Sequence, residues 1–425
     1  MMKKLLLAIV LVSVCLGVRA GESELRMAWW GGGERHEATL AALQTYEKEN
    51  PGVTVKAEYM GWDGYLERLT TQIGGNSEAD IMQMDWAWLA LFSKNGDGFY
   101  DLNQAKDVIN LAAYDQKWLD TCTVKGKLNA LPVSFTTRFF IWNTTTFEKA
   151  GVPVPKTWDD LYAAGRAFKE KLGDEYYPMD VDHGSIPHII ASYIYQKTGN
   201  MIISPTEAAI GLSHEEMVEM VAFYKRLLDN HVMPSLSVRA NISGTTRTQT
   251  HEMPDFIEGR WAGGWYWDSN IHLFLSTPRK EYSFQLGEFL VGDNDKTSGR
   301  IGRPAQIFAV SKNSKNPKVA AALASWLLTT PEAAKILRTT RGALISNPSF
   351  AALKEANLIP AMNLEAMAQL ENQQVSNPSP YFEDPRVLKL LEEVCENVSF
   401  GKMNPEEAAT EIERELNRIL RRLSR

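Results

Sequence analysis

Seven tryptophans stand at predicted turns or strand ends: Trp29, Trp30, Trp62, Trp86, Trp88, Trp265 and Trp267. Flat indoles stack on the apolar faces of pyranose rings, and polar neighbours such as Asp63 and Asp85 supply hydrogen bonds to hydroxyls. The alternating pair Trp265 and Trp267 would put both rings on one face of a strand. For any single tryptophan the core is an equally good reading; seven at such positions favour a sugar-binding surface. Gly31-Gly32-Gly33 after Trp30 has the look of a phosphate-cradling turn. However, His36 stands where a dinucleotide fingerprint needs glycine, and Glu34-Arg35 where a P-loop needs Lys-Ser/Thr. The glycines are better read as letting a ligand approach the backbone at a helix start.

Catalytic chemistry finds little support. There is no Gly-x-Ser-x-Gly and no His-Glu-x-x-His, and the seven histidines are scattered. Asp180-Val181-Asp182-His183-Gly184 resembles the start of a calcium loop but lacks its third ligand and closing glutamate, so it reads as a turn. Asp159-Asp160 read as helix-start charges. No cofactor and no metal is expected, and the protein is not expected to be an enzyme.

The elements that would position the tryptophans alternate. A strand to Trp30 precedes a helix from about Glu37 to Asn50; Val53 to Tyr59 alternates as a strand; Tyr65 to Ile73 is amphipathic; Asp80 to Met84 is a short buried strand. This βαβαβ order implies a parallel sheet, whose ligands bind at the carboxyl ends of the strands. The turns at Trp30, Trp62 and Asp85-Trp86 fall at such ends. Further on, Phe139 to Trp142, Arg260 to Trp267 and Arg303 to Val310 read as strands. Helices are expected from the Thr157 cap to Leu172, from Ser213 to Asn230 behind Ser213-x-x-Glu216, from Pro317 to Leu328, and from Pro331 to Arg338. The tail from Pro385 is helical, with Leu388, Leu391, Val394 and Val398 on one face.

Met1-Met2-Lys3-Lys4, the apolar run Leu5 to Val18 and Ala20 before Gly21 make a cleavable secretory signal over residues 1–20, implying a periplasmic protein. Bulky Val14 before Cys15 argues against a lipid anchor. Removing residues 1–20 takes the net charge from −7 to −10, which disfavours nucleic acid and anionic membranes as partners. Any anionic ligand must then be held by local arginines. Cys122 and Cys395 are left as a possible disulfide pair.

Several strings together resemble the extracellular solute-binding proteins of ABC transporters, in the maltose-binding-like cluster. They are Glu47-x-x-Asn50-Pro51-Gly52-Val53, Ala79-Asp80-Ile81-Met82, Gly126-Lys127-Leu128-Asn129-Ala130-Leu131-Pro132, Phe147-x-x-Ala150-Gly151-Val152-Pro153 and Phe256-Ile257-x-Gly259. Others, such as Trp29-Trp30-Gly31-Gly32, Gly61-Trp62-Asp63-Gly64 and Ser379-Pro380-Tyr381-Phe382-Glu383-Asp384-Pro385, resemble its oligogalacturonide-binding branch. The resemblance implies an α/β periplasmic binding protein fold, with two lobes, several crossovers and a ligand cleft between them. The lobes are expected at 21–135 plus 302–345 and 136–301 plus 346–425. It implies a monomer that delivers pectin-derived oligosaccharides to ABC permease subunits. A uronate oligomer carries a carboxylate on each ring, so guanidinium forks are needed beside stacking platforms. Arg35, Arg138, Arg303 and Arg341 each sit by a predicted turn or crossover, and Arg138 and Arg303 are expected to clamp adjacent carboxylates; the competing role for each is a salt bridge. The ligand site is thus expected at Trp30, Arg35, Trp62, Asp63, Asp85, Trp86, Arg138, Trp265, Trp267, Arg303 and Arg341. A neutral oligosaccharide in the same role, or a secreted polysaccharide lyase or hydrolase, are the alternatives.

Overall fold

The computed structural model describes residues 23–424 apart from 206, 277 and 372–374; the expected signal segment lies outside the described residues. The chain opens with strand β1 (Ser23–Trp30), helix α1 (Gly33–Glu49), strand β2 (Val53–Met60), helix α2 (Tyr65–Gly74) and strand β3 (Ile81–Met84). β1 pairs in parallel with both β2 and β3, as the alternation implied. α1 begins four residues earlier than its apolar spacing suggests. Its first turn, Glu34-Arg35-His36, is polar, and burial starts only at Thr39, Ala42, Leu43 and Tyr46. Gly31 is needed for this turn, because a Cβ there would run into the Arg35 side chain.

A small hairpin follows, β4 (Thr123–Val124) and β5 (Lys127–Leu128), with Lys127 as an ordinary exposed hairpin residue. The next strand, β6 (Ala130–Asn143), is 14 residues long and almost wholly buried. It is completed by β7 (Gly263–Trp267), β8 (Phe284–Gly287) and β9 (Gly302–Val310). The seven-stranded sheet runs β2-β1-β3-β9-β6-β7, with β8 also on β6. β9 is antiparallel to both β3 and β6.

β6 joins two cores. Its first residues, Leu131 and Val133, pack with β1, β3, β9 and the helix Pro317–Thr329 in one large cluster. Its later residues alternate. Phe140 and Trp142 face a second cluster built from the helices Trp158–Leu172, Ile186–Thr198, His214–Asp229, Pro385–Ser399 and Pro405–Leu423. Phe139 and Ile141 face a smaller third cluster around Trp261 and Phe274. Where β6 passes from the first core to the second, its pairing with β9 shifts register between Pro132 and Ser134 and again before Phe135. The helix Asn347–Glu355, expected with the second lobe, sends Leu353 into the first cluster, as does Ile359 beyond it. Cys122 and Cys395 are not bonded; they are buried in the first and second clusters respectively.

Local signals explain many element ends. Thr157 and Asp160, and Ser213 and Glu216, form reciprocal caps at the starts of their helices, each satisfying two otherwise unpaired backbone donors. Asp182 accepts from the amide of Ser185 and also from its hydroxyl. Asp180 is fully buried and ion-paired to Arg239. The Asp180–Gly184 stretch is therefore a structural turn, with Asp182 bonded to Ser185 and Asp180 paired through Oδ2 to Arg239 and Thr250.

Candidate ligand-binding site

In the second half, the register of β6 against β7 puts Arg138 opposite Trp267 and Phe140 opposite Trp265. Directly paired residues share a sheet face, and positions two apart do as well. Arg138, Trp265 and Trp267 therefore meet. The Arg138 guanidinium carbon lies 4.3 Å from the Trp267 ring centre and 4.9 Å from that of Trp265. Its Nη1 donates to Ser185 Oγ at 2.8 Å and, at 3.4 Å, to the Trp265 carbonyl. Its Nε has no hydrogen-bond partner, and among the described residues Arg138 has no ion pair. Burial drops its pKa to about 10, against the pull of Asp182 and Glu383. His188 closes the pocket edge-on to Trp267 at 5.6 Å, with Nδ1 unpaired. Burial, aided by Arg138 and Arg303, pushes the pKa of His188 far down, so the ring is neutral.

At the crossing, Arg303 lies on β9 opposite Thr136 of β6. Its expected part in clamping a ligand meets a physical obstacle, because its charge is already matched. Nε bonds Glu383, Nη2 reaches Asp85 at 3.4 Å and Nη1 donates to the Pro304 carbonyl at 2.9 Å. Burial pulls its pKa down, but Asp85 and Glu383 hold it above the ordinary arginine range. Asp85 comes from the end of β3 and Glu383 from the turn before the helix Pro385–Ser399, so Arg303 ties the two halves together. Nearby, Thr136 donates to Asp268 at 2.5 Å, and burial raises the Asp268 pKa to about 6.

In the first half, the carboxyl ends of the parallel strands carry an aromatic nest. Trp30 lies 5.1 Å from Trp62, 5.2 Å from Tyr65 and 5.5 Å from Trp88. Trp62 stacks on Trp88 at 5.7 Å and is 54% exposed. Asp63 is exposed at the rim beside it. Trp86 does not join; it is buried and donates its indole N–H to the Thr121 carbonyl at 2.7 Å. Trp29 points to the other face, stacking on Tyr59 and bonding His36. Beneath Trp30, Gln83 donates to the Trp30 carbonyl at 3.2 Å and accepts from Arg341 Nε at 2.7 Å. Arg35 donates to the carbonyls of Trp30 and Thr340 at 3.0 and 2.8 Å. Burial lowers the pKa of Arg35 to about 10, and burial together with the nearby Arg35 charge lowers that of Arg341 from the ordinary arginine value.

The halves face each other across a cavity of about 300 Å³, lined by Leu66, Trp88 and Leu91 on one side and Tyr381, Glu383 and Arg386 on the other. The site offers aromatic faces and guanidinium groups. Among the described residues no three His, Cys, Asp or Glu side chains gather to hold a metal. Burial pushes both cysteine thiols up to about 12, which leaves them poor nucleophiles. Sequence reasoning missed Tyr65, Gln83, Ser185, His188 and Glu383, and chose Trp86 for the site over Trp88. Tyr65 and Gln83 sit at the strand ends that the alternation had marked; nothing local to His188 or Ser185 signals a site.

An antiparallel connector running between two α/β halves, with aromatic and cationic side chains facing a shared cavity, defines a two-lobed binding protein of the periplasmic type. The chain belongs to the bacterial extracellular solute-binding protein family, whose model matches residues 32–334. It is similar to a periplasmic solute-binding protein of Pectobacterium atrosepticum at 41% identity, covering 95% of this chain and 100% of that one, with a TM-score of 0.88. It is also similar to a periplasmic oligogalacturonide-binding protein of Yersinia enterocolitica, solved with saturated digalacturonic acid. Identity there is 38%, coverage 95% of this chain and 100% of that one, and the TM-score 0.85. Binding proteins of Brucella abortus align at 28% identity over 193 residues, 44% of this chain and 45% of theirs, so the match spans under half the length of these curated relatives.

Proposed function

We propose that this protein captures short, acidic, pectin-derived oligosaccharides, oligogalacturonides, and hands them to the permease of an ABC importer in the periplasm. The observation that carries the reading is Arg138. It is a buried guanidinium with no ion pair among the described residues, laid over two tryptophans in a small pocket that Arg303 and Glu383 also line. A buried charge without a partner is costly, and an incoming carboxylate would remove that cost while the indoles receive the sugar ring. The likeness to the Yersinia protein supports a uronate over a neutral sugar. The ligand is held rather than transformed, with the lobes closing around it by a hinge in the crossing strands.

Calorimetry over a panel of neutral and acidic oligosaccharides tests this. Wild type should prefer digalacturonate. Arg138→Met should weaken that binding by more than about tenfold, a loss of only ~1.4 kcal/mol. The same variant should bind neutral disaccharides no worse than wild type does. A wild-type preference for a neutral oligosaccharide would overturn the reading. New unsaturated ends or reducing ends on incubation would reassign the protein to the lyases or hydrolases.

A further inference from the structure

Arg341, like Arg138 and Arg300, is a buried arginine without an ion pair among the described residues, but whereas Arg300 donates from both Nη1 and Nη2, to the Arg138 carbonyl and to Gln369, Arg341 leaves the end of its fork unbonded. It is 3% exposed, its Nε is spent on Gln83, and neither Nη1 nor Nη2 has a hydrogen-bond partner. Among the described residues it forms no ion pair, and neither does Arg35. Arg35 is held close by, bonding the carbonyl of Thr340, the residue before Arg341. Two cations thus sit together under Trp30 and Tyr65, at the carboxyl edge of β1 and β3, with no acid between them. The charged groups acting on Arg341 bear this out, since they are Arg35 and the Tyr65 phenol and include no carboxylate. Two of the other buried arginines have acids of their own. Arg303 has Asp85 and Glu383, and Arg239 has Asp180. With Nε occupied, the two free nitrogens of Arg341 present the end of the guanidinium fork, a geometry that matches both oxygens of one carboxylate. A sugar hydroxyl could bond one of those nitrogens but would leave the charge uncompensated.

The placement fixes a spacing. Ser134 Oγ donates to the Arg341 carbonyl at 2.6 Å, so the Arg341 segment is pinned to β6 four residues before Arg138. At ~3.3 Å per residue the two anchoring points lie roughly 13 Å apart along the strand. We propose that Arg341, with Arg35 beside it, forms a second carboxylate subsite, so that the ligand is gripped through acid groups on two different rings. This rests on the functional reading above and adds to it: the cleft selects a uronate oligomer over a single uronate. Arg138 takes one ring's carboxylate over Trp265 and Trp267, and Arg341 takes another's beside the Trp30–Trp62–Trp88 nest.

The test is the affinity of wild type, Arg138→Met and Arg341→Met for galacturonate, digalacturonate and trigalacturonate, with each variant's melting temperature. Wild type should bind the oligomers at least about tenfold more tightly than the monomer. Arg341→Met should lose that gain while keeping the monomer's affinity, and should remain folded, the removal of an unpaired buried charge offsetting the loss of the hydrogen bond to buried Gln83. Arg138→Met should weaken on all three. An Arg341→Met protein that binds every ligand like wild type, or weakens equally on monomer and oligomers, overturns the second subsite while leaving the functional reading intact. Wild type that ignores all three and binds a neutral oligosaccharide overturns the functional reading itself. Wild type alone gives a second measurement. Methyl-esterifying either carboxyl of digalacturonate should cost affinity at least about tenfold; tolerance of one of the two esters means a single carboxylate subsite and overturns the proposal.

Discussion

On the first half of the cleft the tryptophans pack against one another; on the second they pack against a guanidinium. Trp30, Trp62 and Trp88 form a mutual cluster, Trp62 stacked on Trp88 and edge-on to Trp30, in which only Trp62 is largely exposed, while Trp265 and Trp267 lie against Arg138. The arginines divide differently. Arg138 and Arg341, one in each half, lack acids, whereas Arg303 between them carries two. Residue type alone therefore does not assign a role. A buried arginine with carboxylates of its own is part of the frame; one without them is a ligand candidate only where its donors are also left free, as at Arg341 and not at Arg300, whose Nη1 and Nη2 bond the Arg138 carbonyl and Gln369.

The largest effect that separates these classes is on stability. Arg303→Met would remove the cation shared by the largely buried Asp85 and Glu383, leaving Asp85 only the Ala87 amide at 3.0 Å, and should cost about 3–5 kcal/mol in denaturant unfolding. Arg138→Met strands no carboxylate, so it should unfold at a denaturant concentration near wild type while binding poorly. Equal destabilisation by the two substitutions would erase the distinction. Next comes the aromatic nest. Trp88→Ala empties a buried position and should cost ~3–5 kcal/mol, while Trp62→Ala, more than half exposed, should cost under about 1 kcal/mol yet weaken ligand binding. If Trp62→Ala leaves affinity unchanged, the nest is core and not a stacking platform. Trp30 and Trp265 are 7% and 2% exposed, so alanine at either should lower stability as well as binding.

The smallest effect is a pH dependence at the crossing. Burial raises the Asp268 pKa to about 6, above the ordinary carboxylate value of 3.8. The native state thus binds more protons than the unfolded chain between these two values, and stability falls as pH rises through that window. Asp268→Asn removes the titration. The stability of the variant relative to wild type should therefore climb between pH 4 and about 6, by at most a few kcal/mol, and level off above. A difference that stays flat over that range would show that the carboxyl titrates normally.

The parallel sheet, the two helix caps and the facing pair Trp265 and Trp267 were legible because each rests on a local pattern: alternation, S/T-x-x-D/E spacing, or period two. β6 was under-read as Phe139 to Trp142. Both of its faces are buried, so its 14 residues show no alternation of apolar and polar positions to mark the ends. Trp86 and Trp88 stand two residues apart in the same short segment, and only the fold reveals that one turns inward to Thr121 while the other faces the cleft. The pairing of Arg303 was equally hidden, because Glu383 is 80 residues away and Asp85 more than 200. Electrostatic matching of this kind is a property of contacts, and no window on the sequence contains both partners.

β6 also dictates the order in which the molecule can be assembled. Ala130 pairs with Ala309, and the same strand supplies Phe140 and Trp142 to the second core, so neither half is a contiguous piece of chain that could be excised. During synthesis at ~5–20 residues per second, the first half waits on the order of 10–40 s between the emergence of β6 and that of β9. Until then β3 and β6 each lack the neighbour that lies between them, and a substantial part of the first core stays open to solvent. Such non-local closure makes folding slow compared with that of a helical bundle. The long connector therefore keeps the nascent chain loosely folded for much of its own production.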